Sequence, residues 1–275
     1  MPASNAETLI DIGANLTNSA FADDLDAVIK RAQDVSVHKI IVTGTDLESS
    51  KQAASLANHY QGYLFSTAGV HPHDAKHYGP ETHSELLALA QLPQVKAIGE
   101  TGLDFNRNYS TAAEQIKAFE QQLELAIETA LPIFLHERDA HQQQWEMLKC
   151  YRDQLKRAVI HCFTGNKQQA FRYLDLDLYL GITGWICDER RGYHLHEFIA
   201  DIPLNRLMIE SDAPYLVPRV KPKPALASSR RNEPSTLPYV LATVARHRQQ
   251  TPAEIASATT ANALRFFDLA SEEIP

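Results

Sequence analysis

The stretch Val95-Lys-Ala-Ile-Gly-Glu-Thr-Gly-Leu-Asp104 joins a short apolar run to a carboxylate that has glycines on both sides. Its first half is typical of a buried parallel strand. Gly99 and Gly102 allow the backbone to turn, or to approach another group closely, where Glu100 leaves the strand. An ionised Glu at the end of a buried strand needs a cation or firm hydrogen bonds. On this stretch alone, the other interpretation is that Glu100 caps the next helix.

Seven further short apolar runs are separated by stretches with helical spacing. The eight predicted strands are Leu9–Ala14, Lys39–Gly44, Leu64–Val70, Val95–Glu100, Pro132–His136, Ala158–His161, Leu178–Ile182 and Leu207–Glu210. The clearest predicted helices between them are Phe21–Val35, Leu47–His59, Ala112–Ala130 and Ala140–Leu155. Eight βα units close into a barrel, whereas an open doubly wound sheet usually has about five to seven strands.

We therefore predict an α/β fold, a (β/α)8 TIM barrel, with one domain over residues 1–275. The seventh unit is the least regular, because Gly184–Arg191 is predicted to be a loop. The tail, Leu237–Leu269, is predicted to form two closing helices.

The overall charge and the cysteine content limit the classes of function. The formal net charge is -8, which argues against a protein that coats nucleic acid through bulk charge but allows an enzyme that grips a few phosphates. The three cysteines have no CxxC spacing, so neither a disulfide framework nor a thiolate zinc site is expected. Met1–Glu7 lacks a signal-peptide pattern, and no apolar run approaches the ~20 residues of a membrane helix. We expect a cytoplasmic monomer with no membrane association and no obligate protein partner.

The groups that can carry chemistry follow the predicted strands. Residues at the C-terminal ends of barrel strands converge on one face. The groups in these positions that can bind a metal are Glu100, His136, His161 and Asp212, with His71 and His73 after the third strand. A single histidine is more often an ordinary core or surface residue. Several at the ends of different strands predict a metal site.

Two imidazoles and two carboxylates form a mixed nitrogen and oxygen ligand set without sulfur, for which zinc, manganese and magnesium are all chemically possible. Such a site lowers the pKa of a bound water and neutralises charge on a phosphoryl or carbonyl oxygen. Asp212 can accept a proton from that water. Glu210 can orient a metal-binding side chain without contacting the metal itself.

Six motifs resemble, in order, those of the TatD family of metal-dependent deoxyribonucleases. They are Leu-Ile-Asp-Ile-Gly-Ala-Asn-Leu, Ala-Gly-Val-His-Pro-His-Asp, Ala-Ile-Gly-Glu-Thr-Gly-Leu-Asp-Phe, Leu-His-Glu-Arg-Asp-Ala, Ile-His-Cys-Phe-Thr-Gly and Ile-Glu-Ser-Asp-Ala-Pro-Tyr-Leu. They lie between residues 9 and 216, and Ser-Ser-Arg-Arg-Asn-Glu-Pro at 228–234 extends the similarity to nearly the whole chain.

The resemblance implies a barrel of the metallo-dependent hydrolase type. It also implies 3′-to-5′ exonuclease activity on single-stranded DNA, with RNA as a further substrate, in DNA repair or degradation. The implied cofactor is Mg²⁺, with Mn²⁺ and Zn²⁺ as alternatives. The implied metal ligands are Glu100, His136, His161 and Asp212. The implied catalytic residues are Glu100, Asp212 and His71, and the resemblance places His71 and His73 next to the substrate or the metal.

The chain departs from most of the family after its first strand. Most members have His-x-His there, which binds the more buried metal, whereas this sequence has Gly13, Ala14 and Asn15. Glycine has no side-chain ligand and an Asn amide is a weak oxygen donor, so the number of metals, one or two, stays open. A site with fewer nitrogen ligands suits magnesium better than zinc. One branch of the family shares Gly-x-Asn, and Asn15, like Glu210, is expected to support the ligands rather than bind the ion.

Arginines in the predicted loops are candidates for contacts to substrate phosphates, because guanidinium groups bind phosphate in bidentate fashion. The candidates are Arg138, Arg190, Arg191, Arg230 and Arg231. The alternative is that the two arginine pairs bind neighbouring acids such as Glu189 and Glu233. Phe105, Tyr193 and Tyr215 are possible stacking surfaces for bases, although core packing is expected for two of the three.

Two other functions remain as alternatives to a nuclease. A metal-dependent acyl or amide hydrolase on the same scaffold, such as an aminoacyl-tRNA deacylase, shares the metal chemistry, and only the phosphate contacts argue against it. A binding protein that has lost its metal is the non-enzymatic alternative. The retained Glu100, His136, His161 and Asp212 argue against that alternative.

Overall fold

The computed structural model describes residues 8–226 and 230–270. Within them the chain divides into two compact units. Unit 1 contains 8–41, Cys162–Lys167 and the described part of 180–270, and unit 2 contains Val42–His161 and Gln168–Tyr179. The expectation of one domain over 1–275 stays a prediction.

Strands and helices alternate along the described residues. The strands are β1 (Leu9–Ala14), β2 (Val37–Val42), β3 (Leu64–Ala68), β4 (Val95–Asp104), β5 (Ile133–Arg138), β6 (Ala158–Ile160), β7 (Tyr179–Ile182) and β8 (Leu207–Ile209). The helices are α1 (Leu25–Asp34), α2 (Leu47–His59), α3 (Pro80–Ala90), α4 (Ala112–Thr129), α5 (His141–Tyr151), α6 (Lys167–Asp175), α7 (Tyr193–His196), α8 (Leu237–Arg248) and α9 (Pro252–Phe266).

The eight strands belong to one sheet in the order β1 to β8, and the fold class is the predicted (β/α)8 barrel. Strand boundaries differ from the predicted ones by no more than two residues, except that β4 continues past Glu100 to Asp104. The predicted loop Gly184–Arg191 contains a 3-10 turn, Gly184–Cys187, and the helix α7 that follows has only four residues. The tail forms the two expected helices, α8 and α9.

Unit 2 carries β3 to β6, which pair in parallel. Buried glutamines of its helices bind the backbone near the strand ends. Gln122 of α4 accepts from Val70 N–H at 2.7 Å and donates to the Val70 carbonyl at 3.0 Å. Gln115, also of α4, accepts from Asp104 N–H at 2.8 Å and donates to the Asp104 carbonyl at 2.9 Å. These side chains supply hydrogen-bond partners to buried backbone groups beyond the hydrogen bonds between strands, and so fix the backbone at Val70 and Asp104.

Unit 1 carries β1, β8 and the two C-terminal helices. Ala14 at the end of β1 forms a parallel bridge with Ala213, which follows β8. The α9 helix begins with a capping box in which the Thr251 hydroxyl accepts from Glu254 N–H. Asn262 of the same helix donates to the carbonyl of Leu207 at 2.8 Å, which attaches α9 to the start of β8.

None of the helices in the described ranges combines the length and the apolar character that a membrane-crossing helix needs.

Asp11 of β1 is a fully buried carboxylate. Its Oδ1 accepts from Ser211 N–H at 2.9 Å and from Gly13 N–H at 3.3 Å, whereas its Oδ2 has no hydrogen-bond partner among the described residues. Burial raises the pKa of Asp11 to about 7, against the opposing effect of the hydrogen bonds from Ser211 and Gly13. The folded protein therefore keeps this proton at pH values where the unfolded chain has released it.

We predict that Asp11 weakens stability progressively as the pH rises from about 4 to about 7. Below this window both states are protonated, and above it both are ionised, so the penalty is then constant. Asp11→Asn removes the titration, and its free energy of unfolding should rise relative to wild type by roughly 1.4 kcal/mol per pH unit within the window. Urea denaturation at pH 5 and pH 7.5 measures this difference. Asp153→Asn, at an exposed position, is the control; an equal difference at both pH values for Asp11→Asn would contradict the prediction.

Candidate functional site

The position of Glu100 depends on an irregularity in β4. Ile98 pairs with Ile133 and Thr101 with Leu135, so β4 has one more residue than β5 between these two pairs. An extra residue of this kind forms a bulge, which re-aims the side chain that it carries. Gly99 and Glu100 of β4 thus lie opposite a single residue of β5. The Glu100 N–H donates to the Gly44 carbonyl at 2.7 Å. Glu100 is therefore held inside a longer strand and is not a helix cap.

The glycines beside Glu100 are required by the close approach of β4 to β5. Gly99 has φ of +135° and Gly102 has φ of +134°, which L side chains rarely adopt. A Cβ at Gly99 would lie 2.2 Å from the Phe134 carbonyl oxygen, and one at Gly102 would lie 2.1 Å from that of His136. Both positions therefore exclude any residue with a side chain.

Three imidazoles surround one oxygen of the buried Glu100 carboxylate. Oε1 lies 2.9 Å from His161 Nε2, 3.0 Å from His136 Nδ1 and 3.4 Å from His71 Nε2. Burial alone would raise the pKa of Glu100. Electrostatic interactions with His161 and His71 and the hydrogen bonds from His136 and His161 outweigh it, and hold that pKa well below its usual value. Glu100 is therefore an ionised carboxylate inside the protein.

His71 is held by its backbone and by its neighbour His73. The His71 N–H donates to the Thr45 carbonyl at 2.8 Å, and His71 Nδ1 accepts from the His73 N–H at 3.1 Å. Burial, reinforced by the charge of His136, lowers the pKa of His71 to about 4. The ring is therefore neutral at pH 7, and because Nδ1 is an acceptor, its proton lies on Nε2 facing Glu100.

A second carboxylate, Asp104, binds two of the histidines. Its Oδ2 lies 2.9 Å from His73 Nε2 and 3.3 Å from His136 Nε2. Burial would raise the pKa of Asp104. Hydrogen bonds from His136, the Arg107 N–H and His73 outweigh it and lower that pKa. Burial alone would lower the pKa of His136, but hydrogen bonds to Asp104 from Nε2–H and to Glu100 from Nδ1–H raise it, and so favour the doubly protonated ring.

Asp104 has no role among the predicted site residues, because the predicted fourth strand ends at Glu100. Residues four apart in a strand lie on the same face. That alternation is the signal that would have placed Asp104 beside Glu100 once the strand was extended.

The cluster fits a divalent cation. One ligand atom each of His71, Glu100 and His136 lie within 4.8 Å of one another, and His161 contacts the same Glu100 oxygen. The donors are nitrogen and oxygen without sulfur, and one is an ionised, buried carboxylate. Zinc, manganese and magnesium accept such donors, so the donor set does not select one metal.

Three of the four predicted metal ligands, Glu100, His136 and His161, lie together in unit 2. Asp212, the fourth, belongs to unit 1, and there its Oδ1 accepts from the Asn15 Nδ2 at 3.3 Å while its N–H donates to the Gly13 carbonyl at 2.9 Å. The role of Asp212 as a ligand and catalytic residue stays a prediction, as does the supporting role of Asn15.

Glu210 is fully buried at the end of β8. It accepts a hydrogen bond from the N–H of Cys162, the residue directly after His161. A Cβ at Gly181 would lie 2.6 Å from Glu210 Oε1, so the glycine leaves room for the carboxylate. The supporting role of Glu210 stays a prediction.

Arg190 and Arg191 are exposed and share one buried acid with a third arginine. The Nε atoms lie 2.9 Å (Arg191), 3.2 Å (Arg219) and 3.5 Å (Arg190) from Asp188 carboxylate oxygens. The Arg191 guanidinium also lies 4.5 Å from the ring centroid of Trp185. The acid that pairs with these arginines is thus Asp188 and not Glu189. The three guanidinium groups outnumber the two acids Asp188 and Glu189 by one, so this group of side chains keeps one net positive charge.

Arg231 is paired in the way the alternative interpretation described. Its side chain is only 14% exposed, and its guanidinium donates to Asp24 at 2.6 Å and to Glu233 at 2.9 Å. Arg230 is exposed, and Arg138, half-buried, ends β5 opposite Asp104. Contacts of these arginines with a substrate stay predictions.

Tyr193 and Tyr215 are both more than half exposed, and Phe105 is half-buried. The expectation that two of these three aromatic residues pack in the core is wrong. Tyr109, which the sequence analysis did not single out, is 57% exposed and belongs to the same unit as the histidines.

Comparison with known families gives this arrangement its context. A sequence model of the family described as TatD related DNase matches residues 10–268. The chain belongs to this family. A relative from Klebsiella pneumoniae (strain 342), named 3′-5′ ssDNA/RNA exonuclease TatD, is 50% identical over 262 residues, which cover 95% of this chain and 98% of the relative. A relative of the same name from Cronobacter sakazakii is 52% identical over 260 residues, covering 94% of this chain and 97% of the relative.

Solved structures of the TatD family show the same fold. A TatD homologue from Escherichia coli has a TM-score of 0.85 at 30% identity, covering 95% of this chain and 98% of that one. A TatD-family hydrolase from Entamoeba histolytica has a TM-score of 0.86 at 27% identity, covering 96% of this chain and 99% of that one. The resemblance to the TatD family is thus confirmed over nearly the whole chain.

We predict that Asp104→Asn weakens the binding of a divalent ion by roughly tenfold, because the carboxylate that orients His136 is removed. Calorimetric titration of the purified protein with Mn²⁺ measures the affinity. Asp74→Asn is the control, since it removes a carboxylate from the turn that follows His73. Equal affinities of Asp104→Asn and wild type would show that Asp104 does not position the ring.

Proposed function

We propose that this chain is a metal-dependent 3′-to-5′ exonuclease that hydrolyses phosphodiester bonds of single-stranded DNA, with RNA as a second substrate. The observation that carries the proposal is the ionised, buried Glu100 with three imidazole nitrogens within 3.4 Å of one oxygen. It occurs in a chain of the TatD family whose curated relatives, about half identical in sequence, are named exonucleases of this kind.

Mg²⁺ is the proposed cofactor, with Mn²⁺ and Zn²⁺ as alternatives. Glu100, His136 and His161 would hold it, and the sequence motif adds Asp212 as a fourth ligand. A divalent ion supplies a Lewis acid that neutralises charge on a phosphoryl oxygen and lowers the pKa of water.

The protein residues of the cluster have separate roles in this proposal. Asp104 binds Nε2 of His136 and would keep a proton on that nitrogen, so that Nδ1, which faces Glu100, would be the nitrogen that gives up its proton to hold the ion. His71 is neutral at pH 7 with its proton on Nε2, and this N–H, which faces Glu100 when no substrate is bound, would donate to an oxygen of the reacting phosphate. Glu210 holds the backbone that follows His161.

Arg190, Arg191 and Arg219 provide the proposed contacts to the phosphates of the single strand. Their shared partner Asp188 is buried, and burial alone would raise its pKa. The hydrogen bonds from the Arg190 N–H and from Arg191 outweigh this effect and hold the pKa of Asp188 below its usual value. One buried negative charge thus orders three exposed guanidinium groups, which keep one net positive charge when Asp188 and Glu189 are both counted. Such a surface suits a polyanion.

A place in DNA repair or degradation, in the cytoplasm, is part of the same proposal. The described cysteines, Cys150, Cys162 and Cys187, form no disulfide with one another, which suits a reducing compartment. The acyl-hydrolase alternative has no observation in its favour, since the names of the curated relatives refer to nucleic acid.

The test of the proposal is digestion of a single-stranded oligonucleotide with Mg²⁺, Mn²⁺ or Zn²⁺. A 5′ label should give a ladder that shortens stepwise, and a 3′ label should be released at once as a mononucleotide. Glu100→Gln should lower kcat/KM by at least about 100-fold, because the stabilisation supplied through the ion is worth several kcal/mol. Glu128→Gln, at an exposed position of α4, should behave as wild type. Shortening from the 5′ end, or full activity of Glu100→Gln, would contradict the proposal.

A second prediction concerns the phosphate contacts. The double variant Arg190→Ala and Arg191→Ala should raise KM for the oligonucleotide roughly tenfold at low salt and leave the affinity for the metal unchanged. The slope of log affinity against log salt should fall by about 0.7 for each phosphate that the variant no longer binds. Arg265→Ala, which removes an exposed arginine of α9, is the matched control in the same unit. Unchanged kcat/KM and unchanged salt slope in the double variant would exclude this role.

A further inference from the structure

An exposed aromatic side chain stands at the end of a line of rings that leads to the metal-binding cluster. The Tyr109 ring centroid lies 4.7 Å from that of His73, which lies 4.2 Å from that of His71. The His71 centroid lies 4.4 Å from that of His136. Isolated exposed aromatic residues need no explanation. Tyr109 differs because its ring contacts a histidine that also binds Asp104.

The loop that carries Tyr109 is tied down on both sides. Before it, Oδ1 of Asp104 accepts from the N–H groups of Asn106 and Arg107, each at 2.9 Å. After it, the buried Ser110 hydroxyl donates to the His73 carbonyl at 2.9 Å, and Gln115 donates to the Ser110 carbonyl at 2.9 Å. The ring is therefore presented from a fixed backbone, and a ligand that covers it orders only one side chain.

Two cationic residues lie next to the Tyr109 backbone, and the carboxylate of Glu114 is also near Lys76. Lys76 is exposed and its Nζ donates to the Tyr109 carbonyl at 3.3 Å. Arg107, two residues before Tyr109, is also exposed. An aromatic face next to cations is the combination that binds single-stranded nucleic acid, with the base on the ring and the phosphate on the cations.

We propose that Tyr109 is a stacking surface for a base of the single-stranded substrate, and that Lys76 and Arg107 face the phosphate of that nucleotide. The inference rests on the proposed exonuclease function. Since His73 contacts both Tyr109 and the carboxylate that binds His136, the stacked base belongs to the terminal or penultimate nucleotide at the 3′ end. Stacking of this kind is tolerant of base identity.

The experiment pairs Tyr109 variants with two oligonucleotides, one complete and one without bases at its last two 3′ nucleotides. On the complete oligonucleotide, Tyr109→Ala should raise KM roughly tenfold, and Tyr109→Phe should behave as wild type. Tyr109→Leu, which keeps apolar area without a π face, should lie between them. On the abasic oligonucleotide, wild type and Tyr109→Ala should have the same KM. Tyr151→Ala is the matched control, because that tyrosine lies on α5 with its hydroxyl bound to Glu120.

An equal loss on both oligonucleotides would overturn the inference, because it would mean that Tyr109 only shields the His73–Asp104 hydrogen bond. No loss on either would also overturn it. Calorimetric Mn²⁺ affinity of Tyr109→Ala should equal that of wild type, and a weakened affinity would again indicate shielding. If the wild-type protein digests neither oligonucleotide, the proposed function fails. Fluorescence anisotropy of the same two oligonucleotides then decides the stacking on its own, since only the complete one should lose affinity in Tyr109→Ala.

Discussion

The ionised carboxylate of Glu100 is the constraint on which the rest of unit 2 depends. A charge in that position is stable only if positive or hydrogen-bonding groups converge on it, and three imidazoles from different segments do so. That convergence requires β4 to bulge and to press against β5, which glycine at 99 and 102 permits. The chemistry of the site and the irregularity of the strand thus have one cause.

Buried amides of the surrounding helices transmit this arrangement to the rest of the unit. Gln115 and Gln122 of α4 bind the backbone at Asp104 and Val70, and Gln144 of α5 accepts from the Leu103 N–H at 2.9 Å. Each supplies a partner to a backbone group that the parallel ladder leaves unpaired. The helices therefore position the histidines and carboxylates as well as covering the sheet.

Sequence reasoning placed the strands well, because short apolar runs bounded by polar segments leave little choice of position. It also predicted that Glu100, His136 and His161 lie close together, since each follows or ends a strand, and the structure brings these three side chains into contact. It missed Asp104, because the glycines that end the apolar run at Glu100 belong to a bulge inside a longer strand. It could not choose partners for the arginines. The pairing of Arg231 with Asp24 joins residues 207 positions apart, and the choice of Asp188 over Glu189 depends on which neighbour faces inwards.

The ring of His136 is held from both edges, by Glu100 at Nδ1 and by Asp104 at Nε2. A rotation of the imidazole would break both hydrogen bonds together, so the ring is locked in one orientation by the protein alone. The nitrogen that would meet an ion is pre-organised before any ion arrives. Binding of an ion would then exchange the proton on Nδ1 for the ion without turning the ring.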